Sequence, residues 1–140
     1  MTTTLSYHER ARALHRELLV IDGHADTLDR VLEEGHDFLE AAPDLHIDLP
    51  RLLDAGVNCQ VFSLWTPPEY QGERATARAL AMVSAFLDMQ RERSELRQIT
   101  QVSDLDPQKP GFCFSFEGAE PLAGNVSLIE VFYKLGVRIV

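Results

Sequence analysis

The chain alternates short apolar runs with helical segments along its length, and this alternation restricts the fold more than any other feature. Four runs have the composition of β-strands, at 19–22, 57–65, 111–118 and 137–140. Helical periodicity is found at 7–17, 28–34, 49–55, 74–93 and 128–135. Strands joined by connections of this length pair in parallel through right-handed crossovers. The predicted fold is therefore α/β, with about four βα units, the N-terminal part of a (β/α)8 TIM barrel.

The last apolar run reaches the end of the 140-residue chain without a polar tail or a closing helix. A chain of this length can bury one core. We therefore expect residues 1–140 to be the N-terminal portion of a single barrel domain, truncated within its fourth strand.

Two helices carry sequence signals at their ends. Asp48 is a predicted N-cap for the helix at 49–55, and Gly56 is its predicted C-terminal stop. Ser127 and Glu130 form a capping-box pattern at the start of the last predicted helix. The apolar stripe of that helix is predicted to comprise Leu128, Val131, Phe132 and Leu135. The charged face of the longest predicted helix is expected to be solvated.

Charge and composition exclude several classes of partner. The formal net charge of -9 argues against nucleic acid and against an anionic membrane surface, since both attract basic proteins. The N-terminus lacks the apolar core of a signal peptide, and no apolar run approaches the roughly eighteen residues of a membrane span. Cys59 and Cys113 lie in separate apolar runs and are predicted to be small core residues. A reducing, cytoplasmic location is therefore expected.

A metal-ligand pattern follows the first apolar run. In the sequence Asp22-Gly23-His24-Ala25-Asp26, His24 and Asp26 are two residues apart, so both would point to one side of an extended strand. An imidazole nitrogen and a carboxylate oxygen suit zinc or a similar divalent ion. The alternative is a loop with a solvated aspartate and a turn glycine.

The third apolar run ends in an acidic residue. Phe112, Phe114 and Phe116 share one face of this strand and are expected to pack beneath helices, whereas Glu117 follows on the opposite face. A carboxylate there is costly to bury unless it meets a cation. Since functional groups gather at the carboxyl ends of parallel strands, Glu117 is predicted to share a metal ion with the His-Asp pair. A capping or salt-bridged carboxylate is the alternative.

Several sequence blocks stand in order along the chain: VIDGHADT at 20–27, HIDLPRL at 46–52, QVFSLW at 60–65, FEG at 116–118, and the segment 128–138. Together they resemble the membrane (renal) dipeptidase family of zinc peptidases, in its soluble bacterial branch. The resemblance extends from about residue 18 to residue 140.

The resemblance implies a metal-dependent, amidohydrolase-like (β/α)8 barrel that hydrolyses dipeptides. By its pattern, His24 and Asp26 bind one zinc and Glu117 bridges two zinc ions, with a metal-bridging hydroxide as the nucleophile. The remaining histidine ligands and the catalytic residues are expected beyond Val140, so the 140 residues alone are predicted to be inactive. The resemblance also allows a homodimer of the complete enzyme.

Three further residues carry hypotheses. Trp65 and Tyr70 follow the second strand and, by the resemblance, would line the substrate pocket; packing beneath their loop is the alternative. Asp22 would orient the His24 ring through a hydrogen bond, or lie inside the barrel with a basic partner.

Two other functions are compatible with these residues. One is a different metal-dependent hydrolase on the same barrel, such as a deacetylase or a phosphoester hydrolase. The other is a non-catalytic fragment that associates with a partner or with itself through exposed strand edges.

Overall fold

The protein is described by a computed structural model of residues 6–140. Five α-helices are present in this part of the chain: α1 (Tyr7–Glu17), α2 (Thr27–Glu34), α3 (Leu49–Ala55), α4 (Glu73–Glu92) and α5 (Leu128–Leu135). They are interspersed with five strands: β1 (Ile21–Ala25), β2 (Cys59–Ser63), β3 (Arg97–Gln98), β4 (Gly111–Ser115) and β5 (Val137–Ile139). None of these helices is long and apolar enough to span a bilayer.

All strands belong to one sheet, and all of their pairings are parallel, as the sequence predicted. β1 pairs with β2, and β2 pairs with β4. The other edge of β4 is shared by β3 at its beginning and β5 at its end. The sequence did not predict β3, because its two residues are polar and only half-buried, so that no apolar run marks them.

Aromatic side chains fill the layer between the sheet and the helices. Phe62 of β2 stacks on Phe112 of β4 with ring centroids 5.2 Å apart, and Phe86 of α4 packs edge-on against Phe114 at 5.1 Å. Each fully buried phenylalanine contributes about 1.5–3 kcal/mol through loss of apolar surface from water. The predicted placement of the β4 phenylalanines beneath helices is therefore confirmed.

The opposite face of the sheet carries smaller side chains. Cys59, Val61, Ile99 and Cys113 form a separate buried cluster there. Burial, followed by the effect of the neighbouring Cys113, raises the pKa of the Cys59 thiol to about 11. Both cysteines are free and buried, which confirms that they are core residues of the fold.

The cap signals were correct at both ends of α3, and the capping box predicted at the start of α5 was wrong. The Asp48 side chain accepts from the Arg51 N–H at the start of α3, and Gly56 ends that helix at a φ of 74°. At α5, by contrast, the Ser127 hydroxyl donates to Asn125, and Ser127 makes no side-chain cap bond to the helix. A local turn therefore replaces the capping box: Ser127 has helical backbone angles, with φ -67° and ψ -19°, and not the extended angles that let an N-cap side chain accept from the helix.

Two expectations about helix faces also require correction. Val131 of α5 was assigned to the buried stripe but is 46% exposed. Arg78 lies on the face of α4 that was expected to be solvated, yet it is buried. In both cases helical spacing alone does not reveal which neighbouring element covers a residue.

Candidate metal centre

Three side chains from distant parts of the sequence converge at the carboxyl ends of β1 and β4. The His24 Nε2 atom lies 3.3 Å from Asp26 Oδ1 and 3.2 Å from Glu117 Oε2. One donor atom from each residue falls within 4.8 Å of the others. Each side chain is about half exposed, at 50–52%, so an ion from solvent has access to all three.

A register shift in β1 sets the direction of the His-Asp pair. Asp22 pairs with Gln60 and Ala25 with Phe62, so two residues of β1 stand opposite one residue of β2. Because Ala25 pairs with Phe62 and packs against the helix-covered core, its neighbours His24 and Asp26 take the opposite face. A bulge of this kind re-aims a side chain at a strand end. It also explains why β1 extends to Ala25, although the apolar run predicted a strand only at 19–22.

Asp22 acts on the bulge, and its hydrogen bond differs from the one predicted. Its Oδ1 accepts from the backbone N–H of His24 at 3.1 Å. Asp22 therefore bonds to the main chain of His24, whereas the prediction was a bond to the imidazole ring. Asp22 holds the main chain from which the His24 side chain projects.

Glu117 lies two residues beyond β4 and is followed by a turn at Gly118, whose φ is +93°. The buried Ser63 hydroxyl, at the end of β2, donates to Glu117 Oε2 at 3.5 Å. That same oxygen faces His24 Nε2. The carboxylate is therefore directed across the ends of two neighbouring strands toward the imidazole.

The donor set fits a divalent ion. With zinc–nitrogen and zinc–oxygen distances near 2.0–2.1 Å, ligands of a tetrahedral zinc are about 3.3 Å apart. The two distances from His24 Nε2 match this spacing. Two carboxylates this close repel each other, and a cation between them would relieve that repulsion. The structure thus brings together all three predicted ligands in an arrangement that suits a metal ion.

Cavities flank the three residues on two sides. One, of about 330 Å³, is lined by Trp65, Thr66, Pro68, Tyr70, Gln71, Glu117 and Glu120. Trp65 and Tyr70 thus lie in the wall of a cavity that includes a candidate ligand. The buried Thr66 hydroxyl has no hydrogen-bond partner among the described residues. Sequence reasoning missed Thr66 and Glu120, since neither belongs to a recognised pattern.

The second cavity, of about 440 Å³, contains His24 and Asp26 in its wall together with Asp22, Arg30, Asp44 and His46. His46 thus lies in the same cavity wall as two of the three converging residues. Its presence beside them was not predicted, because it comes from the loop between α2 and α3. His36, in the same loop, instead pairs with Glu34 at 2.8 Å.

Sequence comparison links the chain to known peptidases. A family model described as membrane dipeptidase (peptidase family M19) matches residues 8–140. Dipeptidase 3 from Macaca fascicularis is 31% identical over 146 residues, covering 98% of this chain and 29% of that protein. Dipeptidase 3 from Homo sapiens is also 31% identical, covering 96% of this chain and 29% of its own length. The chain thus spans less than a third of the length of these relatives.

Solved structures share the fold. A metallo peptidase from Rhodobacter sphaeroides, liganded with a phosphinate mimic of the dipeptide L-Ala-D-Ala, superposes with a TM-score of 0.76 at 23% identity. The match covers 87% of this chain and 44% of that one. A probable dipeptidase, PvdM, from Pseudomonas aeruginosa gives a TM-score of 0.76 at 18% identity, covering 92% of this chain and 35% of that one. The predicted α/β architecture, as part of a larger barrel-type domain, is therefore confirmed.

Proposed function

Because the chain belongs to the membrane dipeptidase family, as its sequence blocks predicted, we propose that it carries part of the active site of a zinc-dependent dipeptidase. The observation that carries this proposal is the convergence of His24, Asp26 and Glu117 at the carboxyl ends of β1 and β4. Family membership supports a metallopeptidase in general, and the geometry of these three residues supports the choice of zinc.

We assign the three residues distinct tasks. His24 would bind a zinc ion through Nε2 as a neutral imidazole, with Asp26 as a second ligand from the same segment. Glu117 has two carboxylate oxygens, which suits it to bridge two ions. When bound, zinc lowers the pKa of a coordinated water and polarises the carbonyl to be cleaved. Asp22 and Ser63 fix the His24 main chain and the Glu117 carboxylate, respectively.

We propose a dipeptide as the substrate. The related peptidase from Rhodobacter sphaeroides was solved with a dipeptide mimic, which supports this class of ligand. In this chain, the cavity next to Glu117 provides an aromatic wall from Trp65 and Tyr70. A short substrate held there would present its peptide bond to the three ligands, while the aromatic rings exclude water from one side.

The experiment is a ligand substitution in the full-length gene product. We expect His24→Ala and Glu117→Ala each to abolish dipeptide hydrolysis and to lower zinc affinity by more than the roughly 10- to 100-fold that loss of an outer-shell partner costs. Zinc content by atomic absorption and dipeptide turnover measure the two effects.

His36→Ala is the matched control, because this histidine also contacts a carboxylate but lies outside both cavities. It is expected to retain wild-type zinc content and turnover. Full activity in His24→Ala, or an equal loss in His36→Ala, would contradict the assignment.

Three expectations from the sequence stay predictions. The first two are the cytoplasmic location and the homodimer. The third is the presence of two zinc ions, which requires protein ligands beyond the three that converge here.

A further inference from the structure

A buried arginine links the elements on either side of the candidate metal centre. The Arg78 side chain, on α4, is only 8% exposed. One guanidinium nitrogen lies 2.5 Å from Asp29 Oδ1, and another lies 2.5 Å from Glu33 Oε1. The Tyr70 ring packs over the guanidinium, with its centroid 5.2 Å from the Arg78 Cζ atom. Tyr70 also donates a long hydrogen bond of 3.5 Å to Glu33.

These contacts satisfy a charge that is expensive to bury alone. Asp29 and Glu33 are one helical turn apart, so α2 presents both carboxylates on one face. The planar guanidinium has donors on separate nitrogen atoms that reach both of them, whereas the three donors of a lysine all lie on one nitrogen. Burial alone would lower the pKa of Arg78, but Asp29 and Glu33 together raise it, so the group stays charged.

The contacts matter because of what each partner adjoins. Helix α2 begins directly after Asp26, and Asp29 lies in its first turn. Tyr70 lies in the wall of the cavity that contains Glu117. A single side chain on α4 therefore contacts both the helix that directly follows one candidate ligand and the aromatic wall beside another.

We propose that Arg78 is a positioning residue, which fixes α2 and Tyr70 relative to each other and so sets the geometry of the metal centre and of the adjoining cavity. This inference rests on the proposed dipeptidase function. Arg78 itself touches none of the three candidate ligands in the structure. Its influence on them passes through Asp29 and Glu33 on one side and through the Tyr70 ring on the other.

The test compares Arg78→Ala with Arg78→Lys and Met82→Ala in the full-length gene product. Met82 lies one turn further along α4 and is fully buried, so Met82→Ala destabilises the same helix without touching the ion pairs. Three quantities are measured well below the Tm of every variant: amide hydrogen exchange in the metal-free protein, zinc Kd by chelator competition, and KM against kcat for a dipeptide.

For Arg78→Ala we expect faster exchange at residues 26–30 and 66–72, and a zinc Kd and KM each raised by roughly 10- to 100-fold, the range for partners that orient ligands. Arg78→Lys should recover part of the zinc affinity, the KM and the exchange protection, since it restores the positive charge without the separate guanidinium nitrogens. Met82→Ala should lower the Tm while leaving zinc Kd and KM at wild-type values.

Two results would overturn the proposal. The first is a zinc Kd and a KM in Arg78→Ala that match those of Met82→Ala. The second is unchanged exchange in both segments. The wild-type protein is measured first, so that a failure of the proposed function is recognised separately: if it binds no zinc, the dipeptidase proposal fails, and the positioning role fails with it.

Discussion

At the scale of single residues, the candidate site depends on how its main chain is held as much as on its ligands. Asp22 accepts a hydrogen bond from the His24 N–H inside the β1 bulge. A bulge leaves one residue out of the regular ladder, so side-chain bonds to its backbone replace interactions that the partner strand does not supply. The direction of the imidazole therefore depends on a carboxylate that does not touch it.

This arrangement predicts different results for two substitutions of Asp22. Asp22→Ala removes the acceptor, so we expect a loss of about 1 kcal/mol in the free energy of unfolding and weaker zinc binding. Asp22→Asn retains an acceptor oxygen and should stay close to wild type in both. Urea denaturation and zinc competition measure the effects. Equal zinc affinity in Asp22→Ala and wild type would show that the bulge does not need this bond.

Residue types and spacing were sufficient to predict which three side chains converge. They were insufficient for Arg78, which helical periodicity assigns to a solvated face. Its burial depends on Asp29 and Glu33, which are more than forty residues earlier in the sequence. A pattern within α4 contains no information about those partners, so the ion pairs are visible only in the folded chain.

At the scale of elements, the sequence predicted correctly those boundaries that strong local interactions fix. Helix α3 has the predicted bounds, since Asp48 and Gly56 satisfy both of its ends. Strand β1 ends later than the apolar run predicted, because its pairing with β2 resumes at Ala25 beyond the bulge and local hydrophobicity does not encode that pairing. The Ser127 box fails because Ser127 adopts helical backbone angles within a turn that its hydroxyl and Asn125 close.

The α3 cap gives a pH-dependent prediction. Asp48 is almost fully buried; although burial would raise its pKa, hydrogen bonds from the Ala42 and Arg51 N–H groups and the Arg51 side chain lower it. Because the folded pKa is lowered, this stabilisation is complete above the unfolded value of about 3.9 and is lost as the pH falls through the folded pKa. Asp48→Asn should lack this acid-sensitive component of the free energy of unfolding.

Asp48→Ala should in addition lose about 0.5–2 kcal/mol at neutral pH, the usual effect of removing an N-cap. Asp54→Ala is the control, since Asp54 pairs with Arg12 on the exposed surface and such pairs contribute little. Urea denaturation from neutral to acidic pH measures all three variants. An acid-sensitive loss as large in Asp48→Asn as in wild type would contradict the assignment to Asp48.

At the scale of the whole molecule, the described residues provide one side of a site. The three converging donors come from β1, from the residue after it and from the segment after β4. Three protein ligands and a water can complete one catalytic zinc site, whereas a two-zinc centre needs several more protein ligands. The curated relatives are more than three times as long as the matched segment, which leaves ample sequence for those ligands in them.

We therefore predict that the isolated 140-residue polypeptide does not hydrolyse dipeptides and binds zinc more weakly than the full-length gene product. An incomplete ligand set lowers the affinity for the ion and leaves the substrate without its remaining contacts. Turnover of a dipeptide with added zinc, and zinc Kd by chelator competition, measure the two forms under the same conditions.

Circular dichroism of the 140-residue form is the control, since inactivity is informative only if its helices are present. Dipeptide turnover by this folded polypeptide at the full-length rate would mean that His24, Asp26 and Glu117 form a sufficient site, and would contradict the need for ligands from elsewhere.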